Sequence, residues 1–128
     1  MALRNPTQAA LLKKPKRRKY GNKPFTTTHG ERFDSRAEYR RWQMLVLLQD
    51  AGDILHLNRQ VHFALYAHSY NGAAVDVSTY IADFSYVKNG KEVVEDCKGA
   101  PETAVFRLKK KMMLACYGIE VKVWRERK

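Results

Sequence analysis

Two aspartates and a lysine near the middle of the chain are residue types that hydrolyse phosphodiesters when they share one face. Asp83 and Asp96 flank Lys88-Asn89-Gly90-Lys91. Asn-Gly is the preferred loop of a two-residue type I′ hairpin, so the turn predicts the register. Lys88 faces Lys91, Tyr86 faces Val93, and Asp83 faces Asp96. Side chains alternate along a strand, which sends Asp83, Asp96 and Lys98 to one face. Tyr80, Ala82, Phe84, Tyr86, Val93 and Cys97 form the opposite face, the predicted core. Opposed carboxylates repel across a sheet, and a hard cation removes the repulsion. Mg²⁺, with Mn²⁺ as its substitute, accepts one or two carboxylates and takes phosphate oxygens as further ligands. It polarises the phosphate and lowers the pKa of a bound water that attacks phosphorus. Lys98 would orient that water or balance charge on the phosphate. The Cys97 carbonyl, between the two side chains, offers another hard oxygen.

The elements that must position these groups are legible on both sides of the hairpin. Ser35 caps a predicted helix, and Glu38, three residues on, completes a capping-box pattern. That helix runs to about Asp50 with Gly52 ending it, and places Glu38, Trp42 and Leu45 on one face. Ile54 to Leu65 reads as a first strand, and the hairpin strands are Ser78 to Val87 and Glu92 to Lys98. Thr103 caps a second helix reaching Tyr117 and stopped by Gly118, with Val105, Leu108, Met112 and Ala115 as its apolar stripe. Ile119 to Trp124 is a last short strand. Strand, helix, strand from Val93 onward predicts a right-handed parallel crossover. The order α-β-β-β-α-β gives an α/β domain whose mixed sheet is flanked by helices.

Five blocks in order carry a family resemblance. They are Lys19-Tyr20-Gly21-Asn22-Lys23, Phe33-Asp34-Ser35-x-x-Glu38, Gln60-Val61-His62-Phe63, Tyr80-Ile81-Ala82-Asp83-Phe84 and Glu95-Asp96-Cys97-Lys98-Gly99. Together they resemble a family of small phage proteins, long catalogued as a domain of unknown function, within the PD-(D/E)XK nuclease superfamily. The resemblance spans about Lys19 to Val123. It implies a restriction-endonuclease-like core, Asp83 and Asp96 as metal ligands, and Lys98 as the catalytic lysine. It further implies Glu38 as the helical acid pointed into the same site, and Gln60 as a glutamine near it. Ala82 stands where the signature's name has proline, a position that often varies.

Charge supplies the partner. The chain carries +11, and Met1 to Pro24 holds eight Lys or Arg residues and no acid. A basic, flexible arm (residues 1–24) joined to a nearly balanced domain (residues 25–128) suits a polyanion gripped without being read. Lys13, Lys14, Lys16, Arg17, Arg18, Lys19 and Lys23 are the arm's phosphate contacts. Arg107, Lys110 and Lys111 on the second helix would continue the track. No apolar run approaches the roughly 18 residues of a membrane span, and no secretory leader is legible. Cys97 and Cys116 lack metal-ligand spacing and read as reduced thiols of a cytoplasmic protein, the host's cytoplasm for a phage product. The four histidines lack zinc spacing.

The expected activity is metal-dependent cleavage of DNA, leaving a 5′-phosphate as the superfamily's members do. A one-domain, basic-armed nuclease without a recognition domain resembles junction-resolving enzymes, which implies branched DNA such as a Holliday junction and a homodimer making paired nicks. Two other readings stand beside it: a nicking or duplex endonuclease of phage DNA processing or host-DNA destruction, and a non-catalytic DNA-binding module. Opposed carboxylates argue against the last, since binding DNA does not need them.

Overall fold

A computed structural model describes residues 23–127. Two short strands, β1 (Phe25–Thr26) and β2 (Arg32–Phe33), pair antiparallel ahead of helix α1 (Arg36–Asp50). Then come β3 (Leu55–His68), β4 (Ala74–Lys88), β5 (Lys91–Cys97), helix α2 (Ala104–Tyr117) and β6 (Lys122–Trp124). The main sheet has the order β3-β4-β5-β6, antiparallel except for the parallel β5–β6 pair that α2 connects. It is a mixed α/β fold of a four-stranded sheet and two helices. The helix, three-strand, helix, strand succession read from the sequence is therefore present, with β1 and β2 added in front. Among the described residues no helix is long and apolar enough to cross a membrane. The arm cations Lys13, Lys14, Lys16, Arg17, Arg18 and Lys19 lie outside the described residues; Lys23 is exposed.

The helix ends follow their signals. Ser35 Oγ accepts the Glu38 amide at 3.1 Å, and Thr103 Oγ1 accepts the Phe106 amide at 3.1 Å. Gly118 takes the left-handed conformation that closes α2, where a side chain would be strained. The β4–β5 turn is the expected type: Asn89 and Gly90 both have positive φ, 52° and 77°, and Lys88 pairs with Lys91. The long hairpin reaches further than predicted at its other end, where β3 and β4 continue to His68 and Ala74 around the Ser69–Ala73 turn.

Three packing expectations are corrected or refined. On α1, Glu38 and Leu45 are buried with Trp42 beside them, as expected. On α2, the buried residues are Phe106 and Met113, while Val105 and Leu108 are mostly exposed. The helix turns the face bearing Phe106 and Met113 to the sheet because those larger side chains meet Tyr80 and Val94. The third concerns the hairpin. Tyr80 and Ala82 share a cluster with Val94, Phe106 and Met113, whereas Phe84 and Tyr86 pack with Leu45, Ile54 and Val93. Val93 and Val94 are consecutive on one strand and so point to opposite faces. The predicted single core face is thus two faces, one under each helix, and β4 changes sides between Ala82 and Phe84. Opposite this step, Gln60 on β3 has φ +50°. A left-handed residue in a strand breaks the pleat locally. Asp83 stands at the break.

Two further contacts fix β5 against its neighbours. Arg41 on α1 holds Glu95 through two hydrogen bonds of 2.7 Å, and Tyr86 donates its hydroxyl to the same carboxylate. The Arg41 guanidinium lies 5.0 Å from the Trp124 ring on β6. Arg40 pairs with Glu126 farther along.

Candidate metal centre

The cleft between the N-terminal ends of the two helices is built from the hairpin upward. The β4–β5 pairing runs from Lys88↔Lys91 to Phe84↔Glu95, which brings Asp83 and Asp96 side by side at the next position. The Cys97 amide donates to Asp83 Oδ2 at 2.8 Å, so the strand backbone fixes one carboxylate oxygen. The group of Cys97 tied to the site is therefore its N–H; the role expected for its carbonyl rests on no contact here. Gln60 approaches Asp83 Oδ1 from β3 at 3.5 Å. Glu38 enters from α1 and is only 3% exposed. It departs from the capping-box geometry in one respect: Glu38 Oε2 accepts the amide of Asp34 at 3.2 Å, one residue before the amide such a box would use. A cap and a cleft residue are here the same side chain.

Asp34 is the acid that sequence reasoning passed over. One carboxylate oxygen from each of Asp34, Glu38 and Asp83 lies within 4.8 Å of the other two, close enough for a single cation. The signal was in the sequence, since Asp34 precedes the cap in the block Phe33-Asp34-Ser35-x-x-Glu38. Lys98 Nζ stands 3.4 Å from Asp96 Oδ2 and 4.0 Å from the centroid of the Phe106 ring. The ammonium itself therefore lies between the Phe106 ring of α2 and the Asp96 carboxylate. The cleft, about 450 Å³, is completed by the Lys98–Pro101 turn, Ile81 and the cap residues Ser35 and Thr103.

Electrostatically the cleft has more acids than positive charge to balance them. Burial raises Glu38 above the usual carboxylate range. Burial, then the neighbouring Glu38, pushes Asp83 up to about 6 despite the stabilising Cys97 amide. Asp96 is pushed to about 8 by burial and by Asp83, against the pull of Lys98. Partial burial, then the nearby acids led by Asp83, push the half-buried Cys97 thiol up to about 12. Asp34, Glu38 and Asp83, with Asp96 beside Asp83 and one lysine facing them, offer oxygen donors only, a set whose chemistry fits Mg²⁺ or Mn²⁺ and offers little to softer metals.

Six expected site residues, Glu38, Gln60, Asp83, Asp96, Cys97 and Lys98, come together in this cleft. The α2 cations do not join them. Lys110 pairs with Glu102 at 2.8 Å and Arg107 donates to the Glu102 carbonyl at 2.7 Å. Arg107, Lys110 and Lys111 instead border a separate shallow groove with Glu120 and Leu114.

A family model described as a protein of unknown function (DUF1064) matches residues 17–127. The chain belongs to this family. No curated protein and no solved structure matches it. The DUF1064 match takes in both helices, every strand of the sheet and all the acids of the cleft, so the candidate centre lies inside the family's domain.

Proposed function

We propose that this DUF1064 protein is a metal-dependent DNA endonuclease of the PD-(D/E)XK type, with a restriction-endonuclease-like core. The observation that carries the reading is the convergence of Glu38, Asp83 and Asp96 beside Lys98, with both aspartates pushed well above their ordinary range. Such an arrangement costs stability unless a cation and a phosphate complete it. When bound, Mg²⁺ would supply Lewis acidity at the phosphate and a more acidic water.

The chain's own groups do the positioning. Asp83 and Asp96 would hold the cation, with Asp83 oriented by the Cys97 amide. Asp34 and Glu38 add carboxylate oxygens on the α1 side. The Lys98 ammonium, braced on Phe106, would hold the attacking water or a non-bridging phosphate oxygen. Water oxygen would bond to phosphorus as it gives up a proton, the bond from phosphorus to the 3′ oxygen would break, and that oxygen would take a proton from solvent, leaving a 5′-phosphate and a 3′-hydroxyl. The basic N-terminal segment, with no acid among its first 24 residues, supplies sequence-independent attraction to the backbone.

Branched duplex DNA is the proposed substrate, cut by a homodimer that places one centre on each of two strands. The test is the purified protein with Mg²⁺ on matched four-way, forked, nicked, single-stranded and duplex DNA, with Asp83→Asn as control. Preference for four-way or forked DNA supports the reading. Equal cutting of plain duplex moves the protein to a general nicking or duplex nuclease. Full activity after exhaustive EDTA treatment overturns the metal mechanism.

A further inference from the structure

Behind the acids, on the side away from the cleft, lies Tyr80. It is 3% exposed and packed between Phe63 and Phe106, with ring centroids 6.4 Å and 6.3 Å away. Its hydroxyl is buried and meets strict hydrogen-bond geometry with no group, although the Asp96 carboxylate is close enough to interact with it. An unpaired buried hydroxyl is costly, and phenylalanine would fill the same space without that cost. The other buried, unpaired side-chain atom among the described residues, Arg59 Nε, has a ready explanation. The Arg59 guanidinium is sandwiched near the rings of Phe33 and Trp42. Tyr80 has no such account inside the core. Burial, then its charged neighbours Asp96 and Asp83, keep the phenol protonated, so it is a donor.

We propose that Tyr80 is a positioning residue for the metal centre: its hydroxyl donates to the Asp96 carboxylate when that carboxylate binds a cation. The inference rests on the nuclease reading for its purpose but adds a residue to which the nuclease signature gives no role. The geometry follows from the step in β4. Because the strand changes sides at Asp83, Tyr80 stays on the α2 side, where Asp96 also points, while Glu38 meets Asp83 from α1. Lys98 already sits near Asp96 Oδ2. A donor behind the carboxylate would fix its remaining rotation and leave an oxygen aimed into the cleft. Partners of this kind orient a ligand without touching the metal.

The experiment measures Mn²⁺ binding by electron paramagnetic resonance on the full chain, without DNA, for wild type, Tyr80→Phe and Phe63→Leu. Tyr80→Phe is expected to melt no lower than wild type and to bind Mn²⁺ roughly 10- to 100-fold more weakly. Its cleavage should need correspondingly more Mg²⁺ for half-saturation, with the rate at saturating metal largely preserved. Phe63→Leu disturbs the same packing without touching the hydroxyl, and should melt lower while keeping Mn²⁺ affinity. If Tyr80→Phe binds Mn²⁺ within twofold of wild type, Tyr80 is a core residue only and the proposal fails, with the nuclease reading untouched. It fails equally if both variants lose affinity in proportion to their stability. If wild type itself binds no Mn²⁺, the metal reading falls and this inference falls with it.

Discussion

Replacing Asp96 with asparagine should make the metal-free protein more stable while destroying its activity. Burial and the neighbouring Asp83 push Asp96 from 3.8 to about 8. Each pH unit of such a displacement is worth about 1.4 kcal/mol, so even half of this one amounts to roughly 3 kcal/mol. An asparagine amide imperfectly paired at a buried site gives back about 1 kcal/mol. The expected net gain is about 2 kcal/mol, or roughly 10 °C in melting temperature for a domain of this size. The sign with pH follows from linkage. A carboxyl whose pKa is raised on folding binds its proton more tightly in the folded state. Its contribution is fully present below the unfolded value near 4 and is lost as pH climbs to about 8. Metal-free wild type should therefore weaken steadily across that window, and the advantage of Asp96→Asn should grow with it.

Adding Mg²⁺ reverses the order. A cation at a hundred times its dissociation constant adds about 2.7 kcal/mol to the protein that binds it, and on the proposed reading the variant would lack a ligand. Scanning calorimetry of both proteins in EDTA and in Mg²⁺, at about pH 5 and about pH 8, contains the whole test. If the variant melts at or below wild type in EDTA at the higher pH, the carboxylates are not in conflict. If Mg²⁺ raises both proteins equally, Asp96 does not hold it.

Asp83→Asn and Lys98→Ala should each slow cleavage by at least ~100-fold with melting temperatures within a few degrees of wild type, read from single-turnover rates and thermal melts. Glu38→Gln keeps an oxygen for the Asp34 amide, so it should melt near wild type yet lose most of its rate; near-normal cutting would leave Glu38 a cap alone. Arg41→Ala should cost about 3–5 kcal/mol in denaturant unfolding, because it strands the buried Glu95 carboxylate. Deleting residues 1–19 removes seven Lys or Arg residues. It should flatten the log–log salt dependence of DNA affinity by up to about 0.9 for each phosphate no longer neutralised, while leaving low-salt cleavage intact. An unchanged slope would mean that this segment never meets phosphate.

Local rules were enough for much of this molecule. The Asn89-Gly90 loop determines the Asp83–Asp96 pairing because a type I′ turn admits one register, and both helix caps follow from a hydroxyl three residues before the amide it accepts. The buried face of α2 escaped the same rules. Val105, Leu108, Met112 and Ala115 form the more regular stripe, but Phe106 and Met113 fill more of the space above the sheet. Periodicity cannot tell which stripe meets a sheet.

The step in β4 was illegible for a deeper reason. Strict alternation assigns Ala82 and Phe84 to the same side, and only the left-handed Gln60 across the ladder, a property of the backbone, separates them. Yet that step explains why the candidate centre has the composition it does. With an unbroken pleat, Asp83 and Asp96 would face a single helix. With the pleat reversed at Asp83, one aspartate is met by Glu38 from α1 and the other is backed by Tyr80 under α2. Acids from two layers of the fold then converge where neither layer alone could gather them. The irregularity weakens the ladder locally, which sheet stability would not select. It persists beside a cluster of unbalanced carboxylates that also costs stability in the absence of a cation. Two local costs at one point of an otherwise regular hairpin are what the proposed metal-binding reading requires, since a bound cation would offset the second of them.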